Sequence, residues 1–184
     1  MTIALLLVPN QGDSKDNFLA VARDLKANFC KKSVIFAVTW DGTPSTGPSA
    51  SPIGGVPTGF STNFWESVAA ADTFISLSHS GIQDGPMIGP EGEQPWPTTG
   101  AGTALSDEAL RFWRRIGWGI GDGGRVLIAG CDTAHSYGKL VSKIMTPTVF
   151  GFAQHIGAGV ISEMRMYIGN YFLQNRVGKN VVKC

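Results

Sequence analysis

Hydrophobic residues in this chain fall into short unbroken runs separated by stretches of helical spacing. Ile3–Val8 reads IALLLV, Ser33–Thr39 reads SVIFAVT, Thr73–Ser78 reads TFISLS and Val126–Ala129 reads VLIA. Runs this short and continuous suit strands covered on both faces, as in a parallel sheet. Pro147–Phe152 and Gly159–Ser162 look like two further strands, which makes about six. Between the first two runs, Phe18, Leu19, Ala22, Leu25 and Phe29 recur at helical spacing. That pattern predicts a helix over about residues 14–29, with Asp13 or Ser14 as its cap. Ser61-Thr62-Asn63 opens a second helix carrying Phe64, Trp65, Val68 and Ala69. Ser106-Asp107-Glu108 opens a third, with Leu110, Phe112, Trp113 and Ile116 at core spacing and Arg111, Arg114 and Arg115 mostly outside. A fourth runs over Ser136–Met145. Strand–helix alternation of this kind predicts an α/β fold with a mainly parallel central sheet flanked by helices. The strands starting near Ile3, Ser33, Thr73 and Arg125 are expected side by side at its centre.

Two stretches break the pattern. Residues 41–60 contain 15 Gly, Pro, Ser or Thr among 20, with no surviving apolar period. A connection of this length is either a binding loop or lid, or a solvated, partly mobile insertion. Gly81–Gly102 is also rich in Gly and Pro and suits a short hairpin.

Composition narrows the setting. With 184 residues and 43% hydrophobic content, the chain is expected to fold as one domain over residues 1–184. A net charge of +1 and only 16% charged residues leave no basic footprint for nucleic acid. Met1–Val8 is too short for a signal peptide, and no run approaches the roughly 20 apolar residues of a membrane span. Cys30, Cys131 and Cys184 have no spacing suited to zinc or to a disulfide framework. A cytoplasmic protein without metal, cofactor, membrane or nucleic-acid partner is expected.

Chemistry enters at two strand ends. The run Val126–Ala129 stops at Gly130-Cys131-Asp132-Thr133, and Thr73–Ser78 stops at His79-Ser80-Gly81, 52 residues upstream of the thiol. Carboxyl ends of parallel strands are where ligands and catalytic groups collect in open α/β sheets. A thiol becomes a nucleophile through a base, most often imidazole. His79 and Cys131 are therefore the candidate pair, with Cys131 expected to be the most reactive of the three thiols. The alternative is a buried structural thiol beside an incidental histidine.

An apolar strand ending in His-(Ser)-Gly, a spacer, and an apolar strand ending in Gly-Cys resemble the caspase-like cysteine peptidases. That clan includes caspases, metacaspases, legumain, clostripain, separase and the CHAT domains. Leu127–Ala134, LIAGCDTA, is most similar to the Ala-Cys-Glu/Asp-Thr motif of CHAT-type domains. The likeness covers residues 3–160 and is carried by the two short motifs. It implies a three-layer caspase-like fold and a cysteine endopeptidase acting through a His79–Cys131 dyad. The spacing agrees with the roughly 50 residues between His and Cys in caspases. The oxyanion would be held by the backbone N–H of Cys131 and that of Gly81 or Ser80, because the usual His-Gly is here interrupted by Ser80. In several relatives the residue two before the cysteine is acidic or Gln and lines the S1 pocket. Here it is Ala129, so no charge preference carries over, and Asp132, Asp84 and His155 are further pocket candidates. The partners implied are a protein or peptide substrate and a regulatory or recruiting protein.

Other readings compete. His135, four residues after Cys131, could face the thiol from below, or be a structural or surface histidine like His155. A nucleophile elbow is disfavoured because Ala129 and Thr133 stand where it wants glycine. A caspase-like module without catalysis, serving as an interaction domain, is the second function class. A flavodoxin-like small-ligand binder is the third, weakened because Pro9-Asn10-Gln11-Gly12 is not a phosphate loop.

Overall fold

The computed structural model describes residues 2–12, 14–39, 49–52, 62–81, 85–87, 98–99, 103–156, 161–176 and 180–184. In chain order the elements are β1 (Ala4–Pro9), α1 (Lys15–Asn28), β2 (Val34–Thr39), β3 (Ser49–Pro52), α2 (Thr62–Ala70) and β4 (Thr73–Leu77). There follow β5 (His79–Gly81), β6 (Gly85–Met87), β7 (Thr98–Thr99), β8 (Ala104–Leu105), α3 (Asp107–Ile120) and β9 (Arg125–Ala129). Last come α4 (Tyr137–Ser142), β10 (Thr148–Phe152), α5 (Ile161–Arg165), its π-helical continuation (Met166–Phe172) and β11 (Val181–Lys183).

The main sheet has the order β11-β10-β9-β4-β1-β2-β3. Its five inner strands are parallel, and β3 and β11 run antiparallel at the two edges. The four strands expected at the centre are neighbours there, as the apolar runs require. From β1 the chain moves out to β2, then returns to β4 on the other side of β1. This reversal makes a topological switch point between β1 and β4, the usual location of a crevice.

Helices cover both faces, giving three layers. On one face Phe64 and Val68 of α2, Phe112, Trp113 and Ile116 of α3, and Tyr137 and Val141 of α4 pack on Leu5, Phe74, Val126 and Ile128. On the other, Phe18, Val21 and Leu25 of α1 and Met164, Ile168 and Phe172 pack on Leu6, Ile75, Leu127 and Phe152. Adjacent residues of β1, β4 and β9 thus feed opposite cores, which is why these runs are apolar without alternation.

Local signals held at α3. Ser106 Oγ accepts from the Ala109 N–H at 3.2 Å, with Asp107 and Glu108 in the first turn. Arg111, Arg114 and Arg115 are exposed, and Arg115 lies 4.0 Å over the Trp65 ring. At α1 Ser14 occupies the N-cap position, one of the two expected, but makes no side-chain capping bond, and Asp13 lies outside the described residues.

Two expectations are corrected. The stretch 41–60 contains strand β3, paired with β2; its other residues lie outside those described. Ile161 and Ser162 are helical rather than a strand, because Met164, Ile168 and Phe172 extend the apolar pattern at helical spacing and bury against α1. The main sheet reaches seven strands, because β3 and β11 join the five expected strands that form.

Beneath the β5–β6 hairpin lies the fully buried Tyr137, whose hydroxyl accepts from Trp113 Nε1 at 2.9 Å. Gly85, at φ +76°, rests on that ring so closely that a Cβ there would lie 2.3 Å from it. Glycine is required on both counts. Tyr137→Phe removes the acceptor of a buried indole N–H and is expected to cost about 1–3 kcal/mol in urea unfolding.

Candidate active site

The parallel register of β4 and β9 runs from Thr73 opposite Arg125 to Leu77 opposite Ala129. One more bond, Ser78 N–H to the Ala129 carbonyl at 3.4 Å, extends it. His79 and Cys131 therefore leave neighbouring strands at equivalent positions, each two residues beyond the last registered pair. Both stand at the carboxyl edge, His79 after β4 beside the switch point and Cys131 after β9 one strand farther. His79 is half-exposed, and its ring meets Phe18 of α1 edge-on, with centroids 5.2 Å apart.

The two strand exits touch. A Cβ on Gly130 would lie 2.5 Å from Ser80 Cβ and 3.2 Å from the Ser78 carbonyl oxygen. Only glycine lets the His79 and Cys131 segments pack this closely. Both oxyanion candidates stand on the hairpin strand: Ser80 is buried directly against the thiol's turn, and Gly81, one residue on, pairs with Gly85.

That turn is pinned by a residue whose role the sequence did not reveal. Thr133 is fully buried; its hydroxyl donates toward the Ile128 carbonyl at 2.6 Å and the Gly130 carbonyl at 3.0 Å, and accepts from the Phe152 N–H at 3.1 Å. It ties β9, the Cys131 turn and β10 together. The signal was present as the Thr of Cys-Asp-Thr, a residue type that bonds to nearby backbone. Asp132 adopts φ 55°, a left-handed conformation that Asp tolerates better than most residues.

Cys131 is only 7% exposed. Its Sγ donates to the Ile156 carbonyl at 3.2 Å and accepts from the Ile156 N–H at 3.3 Å. Burial raises the thiol above its ordinary range; the Ile156 N–H pulls it down and the Asp132 charge pushes it up. The thiol expected to be lowered is thus raised in this conformation, because desolvation disfavours the thiolate. Cys30, fully buried and bonded to the Leu25 carbonyl, is raised by burial too, as is Cys184, to about 11.

The remaining candidates separate. Ala129 is fully buried in the α1-side core and presents no wall to a pocket. Asp132 is half-exposed beside the thiol, and Asp84 lies outside the described residues. His135 is exposed, its Nε2 bonded to the Ala153 carbonyl at 2.7 Å, where it braces the exit of β10. His155 is exposed on the segment that covers Cys131. Among the described residues no cluster of His, Cys, Asp and Glu is arranged to hold a metal, and no helix is long and apolar enough to cross a membrane.

No protein-family model matches this chain, and no curated protein or solved structure is significantly similar to it.

Two outcomes are expected. Thr133→Ala should lose about 1–3 kcal/mol in chemical denaturation, because it strands the buried Phe152 N–H, while Thr133→Ser should recover most of it. The thiols supply the second. The unfolded chain releases their protons near about 8.5, whereas the folded chain holds them longer. Stability should be full below that pH and fall as pH rises toward 11, with Cys184→Ala removing part of the slope in urea midpoints.

Proposed function

We propose that this chain is a cysteine endopeptidase of the caspase-like kind, with Cys131 as nucleophile and His79 as its base. The observation that carries the reading is their equivalent placement at one edge, on adjacent parallel strands of which β4 flanks the switch point. His79 takes the thiol proton, and the thiolate attacks the carbonyl carbon of a peptide bond. Backbone N–H groups of Cys131 and of Gly81 or Ser80 hold the resulting oxyanion. The C–N bond breaks as His79 returns the proton to the leaving amine, and water then hydrolyses the thioester. The contact between Cys131 and Ile156 is the resting form; substrate or a recruiting protein partner displaces that segment and exposes the sulfur. Three free cysteines are consistent with a reducing, cytoplasmic setting.

A second reading, an interaction module without catalysis, is favoured by the low exposure of Cys131. Mass-spectrometric analysis of a peptide library incubated with the chain at neutral pH separates the two. The peptidase reading expects internal cleavage that Cys131→Ala abolishes, His79→Ala lowers by about 10²–10⁴-fold and His135→Ala spares. Absence of cleavage, or cleavage that survives Cys131→Ala, sinks it.

A further inference from the structure

At the opposite edge of the sheet, where β9 and β10 begin, lies a cavity of about 540 Å³, within the range of small-molecule sites. Its walls include Phe150, Phe172 and Val181, and Arg125, Arg176 and Lys183 line it as well. None of the described residues that line it is a carboxylate. Three cations around an apolar hollow, set against one nearby acidic charge, that of Asp72 on Arg125, leave a net positive wall that complements an anion with an apolar body.

Arg125 is the informative member. It is half-buried and lies 4.9 Å over the Phe172 ring. Its Nη1 donates to the Phe172 carbonyl at 2.8 Å and to the Asn175 side-chain oxygen. These bonds fix the plane of the guanidinium, whose remaining donors, on Nε and Nη2, bond to none of the described residues. A fixed guanidinium with open donors is the group that recognises a carboxylate. Phe172 closes the π-helical stretch, where Leu173 and Arg176 N–H groups bond to the carbonyls five residues back, at Ile168 and Tyr171. Such helical irregularities occur frequently at functional sites.

We propose that this cavity binds a small single-chain carboxylate, with its acyl chain against Phe150, Phe172 and Val181 and its head at Arg125, Arg176 and Lys183. The site is independent of Cys131 and of the peptidase reading.

Calorimetric titration of the intact protein with sodium decanoate, below its micelle concentration and at low salt, tests this. Saturable one-to-one binding is expected, weakening by about fourfold for each methylene removed toward octanoate. Methyl NMR signals of Val181 and Val182 should shift while those of Val21 on α1 do not. Arg176→Ala with Lys183→Ala, both at exposed positions, should weaken binding by about tenfold with an unchanged circular dichroism spectrum, each exposed ion pair being worth up to ~fivefold. Failure of decanoate to saturate overturns the proposal. So does equal binding of decyltrimethylammonium, indifference to the double substitution, or a dimer that buries the cavity.

Discussion

The account rests on the pairing of β4 with β9. Five residues of each strand are in parallel register, and both strands are covered on their two faces. In a sheet with a side-chain period of two, slipping that register by one residue would turn Ile75 and Leu127 out of their core. The hydrophobic cost of doing so fixes the level at which His79 and Cys131 emerge. Neither residue needs to contribute to folding to be placed; the apolar runs behind them place both.

Beyond the strand ends the constraint changes from burial to hydrogen bonding and close approach. Gly130 admits Ser80, Gly85 admits the Tyr137 ring, and the Thr133 hydroxyl joins three segments at the turn. These contacts hold the thiol beside the hairpin but also keep it dry. Desolvation raises the Cys131 pKa, and the Ile156 N–H only partly offsets this. Under the proposed function this state requires that the segment carrying Ile156 be displaced before Cys131 can react.

The central strands were legible because continuous runs such as IALLLV and VLIA have few uses other than a sheet buried on both faces. The edges were not. β3 sits within a stretch of Gly, Pro and Ser whose residues carry no strand period, and β11 has only three residues. Gly159–Ser162 misled because two adjacent β-branched residues, Val160 and Ile161, fit a strand or a helix, and Met164, Ile168 and Phe172 decided for the helix by packing on α1. At the site, sequence placed His79 and Cys131 through the strand ends. Residue order alone could not show Ile156 returning 25 residues later onto the sulfur, nor that Ala129 would be sealed in the core.

The claim that His79 and Cys131 act as one unit is tested most directly by the rate of Cys131 alkylation by iodoacetamide as a function of pH, in the intact chain and in His79→Ala. If His79 acts on Cys131 as proposed, its imidazolium stabilises the thiolate, and the reaction should turn on at lower pH in the intact chain. His79→Ala should move that transition upward by about one unit or more. Superimposable profiles for the two proteins would mean that His79 does not act on Cys131, and would contradict the account.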